Sequence, residues 1–302
     1  SMRASLRDAA LRKLGPVDTA LVARRFFRES LADEMKSLKP IAEVTTTVCP
    51  VILVRGGVTS AKSGARVNQV NILGVDERFW GMAGKGESKR EGVVVNAALA
   101  DELKVRSGED VIIRLERPQA VPVETLLGRP ADSVLSLRRT IDGIVAKSAI
   151  ADFTLDRDTR AVRNIFVPLG ELQLALKQAG RANAVLAVTH GDVARRLNAA
   201  LTRCVKLEDY SLHIRINRTL GYVSLESDNL LLEPPVGIAA VEAAKAVGSQ
   251  PVPILAYLVN SIELGQARAR ADGRQTAPNA ARELDGGIPY SIAVAVSSPS
   301  SN

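Results

Sequence analysis

The sequence predicts an α+β chain of two lobes, and three observations carry that reading. The first 75 residues alternate strand and helix patterns in the order β-α-β-β; the middle is mainly β; the last hundred residues return to the opening order. The lobes expected are residues 1–75 with 183–302, and an inserted, smaller, mainly-β lobe over 76–182. The similar order at the two ends suggests a duplicated β-α-β-β unit.

Taken in order, apolar residues at Leu6, Ala9, Ala10 and Leu14 predict a helix that Gly15-Pro16 stops. A strand is expected over Thr19 to Ala23. Phe26 to Leu38 reads as an amphipathic helix with Phe27, Leu31, Met35 and Leu38 inward, ended by Pro40. The Val- and Thr-rich run Ile41 to Val54 and the alternating run Arg66 to Val75 predict strands, with Gly56-Gly57 and Ser60 to Gly64 as a hairpin loop.

In the middle, a helical turn is expected over Asp76 to Met82 and a strand over Val93 to Val95. Asn96 then caps a helix from Ala97 to Leu103. Strands follow at Val111 to Leu115, Ser133 to Leu137, Thr140 to Ala146 and Asn164 to Val167. Pro168 opens a helix over Leu169 to Gln178, and Ala184 to Val188 returns as a strand. A helix over Asp192 to Leu201, a short strand at Val223 to Leu225, a helix over Val236 to Val247, and strands at Pro253 to Ile262 and Tyr290 to Val296 complete the chain.

Composition narrows the function. Of 302 residues, 40 are basic and 33 acidic, giving +7, but the 29 Arg are scattered and aromatics make up only 3%. Clustered cations or interleaved stacking rings, the marks of nucleic-acid binding, are missing. A solvated surface is the preferred reading of the charge, and proximity to an anionic membrane surface would also suit a basic chain. No apolar run reaches the roughly 20 residues of a membrane span. Cys49 and Cys204 match no metal spacing; they read as two buried thiols, with one disulfide as the alternative in an oxidising compartment.

The motifs nominate no catalytic, cofactor-binding or metal residue, and no cofactor. Gly56 to Ser63 keeps the first Gly, the Lys and the Ser of a phosphate loop, but Ala61 replaces the second Gly and a strand follows where a helix is needed, so a hairpin tip is expected. His190 and His213 lie in no ligand pattern. Asp152, Asp156 and Asp158 lack the Gly and the terminal Glu of a calcium loop. Phe79-Trp80-Gly81-Met82 reads as a core plug, and the glycine-bounded loops 84–91 and 265–287 as either partner-contacting tips or simply flexible loops.

Four segments in register resemble the extracytoplasmic core domain of FtsX/MacB-type ABC transporter permeases. These are VNILGVDERFWGMAG at Val70 to Gly84, GVVVNAALADELKVRSGEDVIIRL at Gly92 to Leu115, TIDGIVA at Thr140 to Ala146, and NIFVPLGELQLALKQAGRANAVLAV at Asn164 to Val188. The stretch from Leu201 onward departs from shorter members and resembles an extended branch. The resemblance implies a porter-like β-α-β lobe with the inserted mainly-β lobe, and no enzymatic activity. It further implies a parent embedded in the membrane, with this domain on the extracytoplasmic (periplasmic) face and a cytoplasmic ABC ATPase supplying energy. An envelope protein, or a lipoprotein, peptide or small-molecule cargo, is then the partner; nucleic acid is not, and pairing into a homodimer is compatible. The alternatives are a soluble binding protein for an anionic ligand and an unrecognised hydrolase.

Overall fold

The structure, a computed structural model, describes residues 14–82, 92–116, 134–156, 161–189, 193–228, 232–262 and 288–296, with side chains described up to residue 254. The chain divides into two compact units, residues 1–231 and 232–302. The lobe borders expected at 76 and 182 lie inside the first. The expected helix over residues 4–14 and the loops 84–91 and 265–287 fall outside the described residues, apart from Leu14.

The first unit begins with β1 (Thr19–Arg28), α1 (Ser30–Ser37), α2 (Lys39–Ala42), β2 (Thr45–Ser60) and β3 (Arg66–Val75). After α3 (Glu77–Gly81) come β4 (Val93–Asn96), α4 (Ala97–Leu103), β5 (Asp110–Glu116), β6 (Val134–Val145), β7 (Asn164–Pro168), α5 (Leu169–Ala175) and β8 (Arg181–Thr189). It ends with α6 (Ala194–Cys204), a 3₁₀ turn (Leu207–Tyr210), β9 (Leu212–Asn217) and β10 (Tyr222–Ser227). The mixture of helix and strand is an α+β fold.

Two layers share one long strand. In the first layer β8 lies between β1 and β2, antiparallel to both. β9 pairs with β10 outside this layer, which holds one split β-α-β unit, β1-α1-α2-β2, and the β8-α6 segment set between its strands. Their helices cover one face: Leu31, Met35, Ile41, Ala200 and Cys204 pack on Phe27, Val48, Val185 and Ala187. Burying each large side chain here stabilises by about 1.5–3 kcal/mol. In the second layer β2, β3, β7, β4, β6 and β5 pair in that order, and β2 pairs again with β5, closing a six-stranded barrel. Ile52, Val70, Ile72, Val95, Val111, Ile113, Ile141 and Ile165 fill its core with Leu99 and Leu103 of α4 and Leu172 of α5. Thus β2 pairs with β8 through Val51 and with β3 from Ile52 onward.

Several boundaries differ from the sequence reading for identifiable reasons. Phe26 and Phe27 belong to β1 rather than to a helix, because Phe27 and Arg28 pair with Ala182 and Arg181 of β8; α1 starts only at Ser30. Pro40 does not end a helix but sits in the first turn of α2, where its missing N–H costs nothing. The runs expected at 133–137 and 140–146 are one strand, β6, with Arg138 and Arg139 inside it, drawn to Asp110 and Glu171 respectively. β9 was not anticipated, although Leu212-His213-Ile214-Arg215-Ile216-Asn217 alternates as a strand does.

Gly56-Gly57 is a strand segment, not a loop. A Cβ on Gly56 would stand 2.2 Å from the Arg114 carbonyl oxygen and 2.7 Å from Ile72 Cδ1, so the barrel closes only over a glycine there. The β2–β3 register shifts at the same place, between Gly56 and Val58, which is how a barrel corner bends.

The second unit contains α7 (Pro234–Ala246), opened by proline and without a buried residue, and the antiparallel pair β11 (Ile254–Ile262) and β12 (Ile288–Val296). The order β10-α7-β11-β12 follows the expected β-α-β-β, while pairing joins β10 to β9 and β11 to β12.

Candidate functional site

Among the described residues, a charged arrangement that joins elements of the two layers surrounds Arg78. It follows from local sequence. β3 ends at Val75, and Asp76 caps α3 by accepting a 2.9 Å hydrogen bond from the Arg78 N–H. The cap turns the Arg78 guanidinium back, where Nε donates to Asp76 Oδ2 at 2.7 Å. Its other nitrogens reach the first layer, meeting Asp33 of α1 at 2.9 Å and Glu29, just after β1, at 3.3 Å. Gln173 of α5 extends the set by donating to Glu29 Oε2 at 2.7 Å and to the Arg181 carbonyl at 3.0 Å. Elements of the barrel side (α3, α5) are thereby tied to β1, α1 and β8.

Burial opposes charge on Arg78, but the Asp76 hydrogen bond and the carboxylates of Asp76 and Asp33 outweigh it, so the guanidinium is held above its ordinary range. Beneath it, Cys49 in β2 points its thiol at Asp76 Oδ1, 3.6 Å away. Burial first, and the Asp76 charge second, push that thiol well up. It is a packing residue, not a nucleophile. Both cysteines are free and buried. Neither is expected to react within minutes with a thiol-specific chromogenic reagent until the protein is denatured; rapid native labelling of Cys49 would contradict this packing.

A second network fastens the far side of the first layer. Arg28, at the end of β1, pairs with Glu34 of α1 at 2.5 Å and with Asp209 of the 3₁₀ turn at 2.9 Å, and donates to the Cys204 carbonyl at the end of α6. Hydrogen bonds with Glu34 and then Asp209 keep Arg28 above its ordinary range, and the Arg28 hydrogen bond holds Glu34 below its own.

The other positions weighed from sequence are dispersed. Lys62, at the tip of the β2–β3 hairpin, is exposed and pairs with Glu109 at 2.7 Å; strand and turn occupy the Gly56 to Ser63 segment. His213 meets Asp228 at 2.8 Å, while His190 and Asp158 fall outside the described residues. Asp152 accepts from buried Asn96, and Asp156 pairs with Arg55. Among the described residues no three His, Cys, Asp or Glu side chains gather as a metal site, and no helix is long and apolar enough to cross a membrane. Phe79, Trp80 and Met82 are core residues packed with Phe153 and Phe166.

No family model matches the chain, and no curated protein does. Among solved structures, the periplasmic region of MacB from Actinobacillus actinomycetemcomitans aligns with 75% of this chain and 94% of its own length, at 11% identity and a TM-score of 0.39. The extracellular domain of the noncanonical ABC-type transporter YknZ from Gram-positive bacteria aligns with 60% of this chain and 86% of its own, at 10% identity and a TM-score of 0.35. The chain is similar to both.

Sequence reasoning nominated neither Arg78 nor Arg28. The signal was present only for the cap: Asp76 precedes a short helix with an aromatic plug. Convergence of Glu29, Asp33 and Gln173 depends on pairings between segments far apart in sequence.

Proposed function

We propose that the chain is the non-catalytic extracytoplasmic module of an FtsX/MacB-type ABC transporter permease, coupling cytoplasmic ATP hydrolysis to the handling of a substrate or envelope partner. One observation carries this reading: the four segments that resemble the family lie on successive elements of a single unit. The described part of Val70 to Gly84 spans β3 and α3, Gly92 to Leu115 spans β4, α4 and β5, Thr140 to Ala146 lies on β6 up to Val145, and Asn164 to Val188 runs through β7, α5 and β8.

In this reading residues 1–75 and 183–302 belong to the porter-like lobe and 76–182 to the inserted one, with β2 and β3 completing the barrel. The mechanical border then falls inside β2, where its partner changes from β8 to β3. A continuous strand with an Arg78 cluster beside it suits the transfer of displacement between rigid bodies. A cytoplasmic ATPase, an envelope protein or cargo, and a second copy of the parent are the partners this role calls for. The anionic-ligand alternative has less support, since Arg28, Arg78, Arg138, Arg139 and Arg163 each meet a carboxylate.

Hydrogen exchange on the parent permease with its ATPase tests the role. Adding ATP is expected to change protection of backbone amides in 29–37 and 76–82, with the β4–β6 core unchanged. Identical exchange at the Arg78 cluster in both nucleotide states would contradict it.

A further inference from the structure

We propose that the β9–β10 hairpin dips its tip into the headgroup region of an anionic membrane; the proposal rests on the reading of the chain as part of a membrane permease. In the antiparallel register Ile214 lies opposite Leu225 and Ile216 opposite Val223, so these four side chains share one face of a two-stranded ribbon. At the base the same face is anchored by Leu212, which is buried. Toward the tip it is bare: Ile214, Ile216, Leu220 and Val223 are 56% to 71% exposed, and Tyr222 on the other face is 51% exposed.

The turn is ordered rather than frayed, because Asn217 Oδ1 accepts from the Leu220 N–H at 3.0 Å and Asn217 Nδ2 donates to the Tyr222 hydroxyl at 3.4 Å. Charge is graded along the ribbon. Near the base, Glu226 is neutralised by Arg215 at 2.9 Å and Asp228 faces His213 at 2.8 Å. At the tip Arg218 is the only charged residue, and it makes no ion pair among the described residues.

An apolar face, a tyrosine and an uncompensated arginine gathered at one end of a rigid ribbon complement an anionic bilayer surface. The aliphatic side chains enter the acyl boundary, the phenol sits among headgroups, and the long Arg218 stem lets its guanidinium reach phosphate. The confinement of acids to the base favours lipid over a protein partner. So few apolar side chains give weak, salt-sensitive binding.

The test is co-sedimentation of the 302-residue chain with vesicles of mixed phosphatidylglycerol and phosphatidylcholine, or of phosphatidylcholine alone, at low and physiological salt. Binding is expected only with the anionic vesicles, weakening as salt rises. Ile216→Asp with Val223→Asp is expected to lower the partition coefficient about tenfold or more, and Arg218→Glu several-fold, with unchanged circular dichroism. A fluorophore on Leu220→Cys is expected to shift to the blue on vesicle addition, while the same label on Lys62→Cys is not. No binding by the parent chain, or equal binding by the double variant, overturns the proposal. So does a concentration-dependent dimer that the double variant abolishes, since a second copy then covers this face. Membrane spans beside this domain are read from the gene, so the permease reading and the hairpin proposal fail separately.

Discussion

Replacing Asp209 by Ala is expected to destabilise the first unit by about 3–5 kcal/mol, the range for removing one partner of a buried ion pair. Asp209 is 2% exposed. Its carboxylate accepts from the Arg28 N–H at 2.9 Å, from Arg28 Nε at 3.1 Å and from the Lys206 N–H at 2.8 Å, besides pairing with the other guanidinium nitrogen. Loss of the carboxylate strips partners from a guanidinium that is mostly covered and from two backbone donors at once. Asp209→Asn preserves shape but not charge and is expected to cost less. Urea denaturation of the three proteins checks the order.

The same carboxylate gives a pH dependence of definite sign. Burial works against the ionised form of Asp209, but the Arg28 and Lys206 hydrogen bonds overcome it and hold the group below the usual carboxylate range. Its contribution is therefore fully present above the unfolded-state value of about 4, and is lost as pH falls through the lower folded-state value. Between pH 5 and pH 2 the parent protein is expected to lose stability more steeply than Asp209→Asn. Parallel curves would show that Asp209 does not titrate as the network requires.

Gly56→Val is the second large effect. The added Cβ meets the Arg114 carbonyl and Ile72 in the β2–β5 seam, and backbone there has nowhere to go without unpairing the seam. Overpacking in a core costs about 1–3 kcal/mol, and a collision with backbone belongs at the top of that range or beyond it. Gly57→Val is the control, since its Cβ would come no closer than 3.3 Å to Asn68 Oδ1. Hydrogen exchange is expected to accelerate in residues 56–60 and 111–115 for the first variant and far less for the second. Equal effects would mean that the seam is not closed at Gly56.

Where a short pattern decides an element, the sequence was sufficient. Arg66–Val75 and Ala97–Leu103 have the bounds that alternation and the Asn96 cap predict, since both depend on neighbours within one or two turns. The buried placement of Phe79, Trp80 and both cysteines was legible for the same reason. Glycine misled, because Gly56-Gly57 marks a loop in most sequences and a close strand approach in this one. Phe26 and Phe27 misled because periodicity cannot weigh a strand partner more than 150 residues away. The Arg78 and Arg28 clusters were illegible on that ground too: each unites side chains from segments far apart in sequence, none unusual in its own stretch.

The reading of this chain as a permease module is tested most directly by the parent gene on both sides of residues 1–302. About 20 consecutive apolar residues just before Arg3, and again soon after Asn302, are expected. A reading frame that continues into polar, globular sequence at both ends would contradict the assignment.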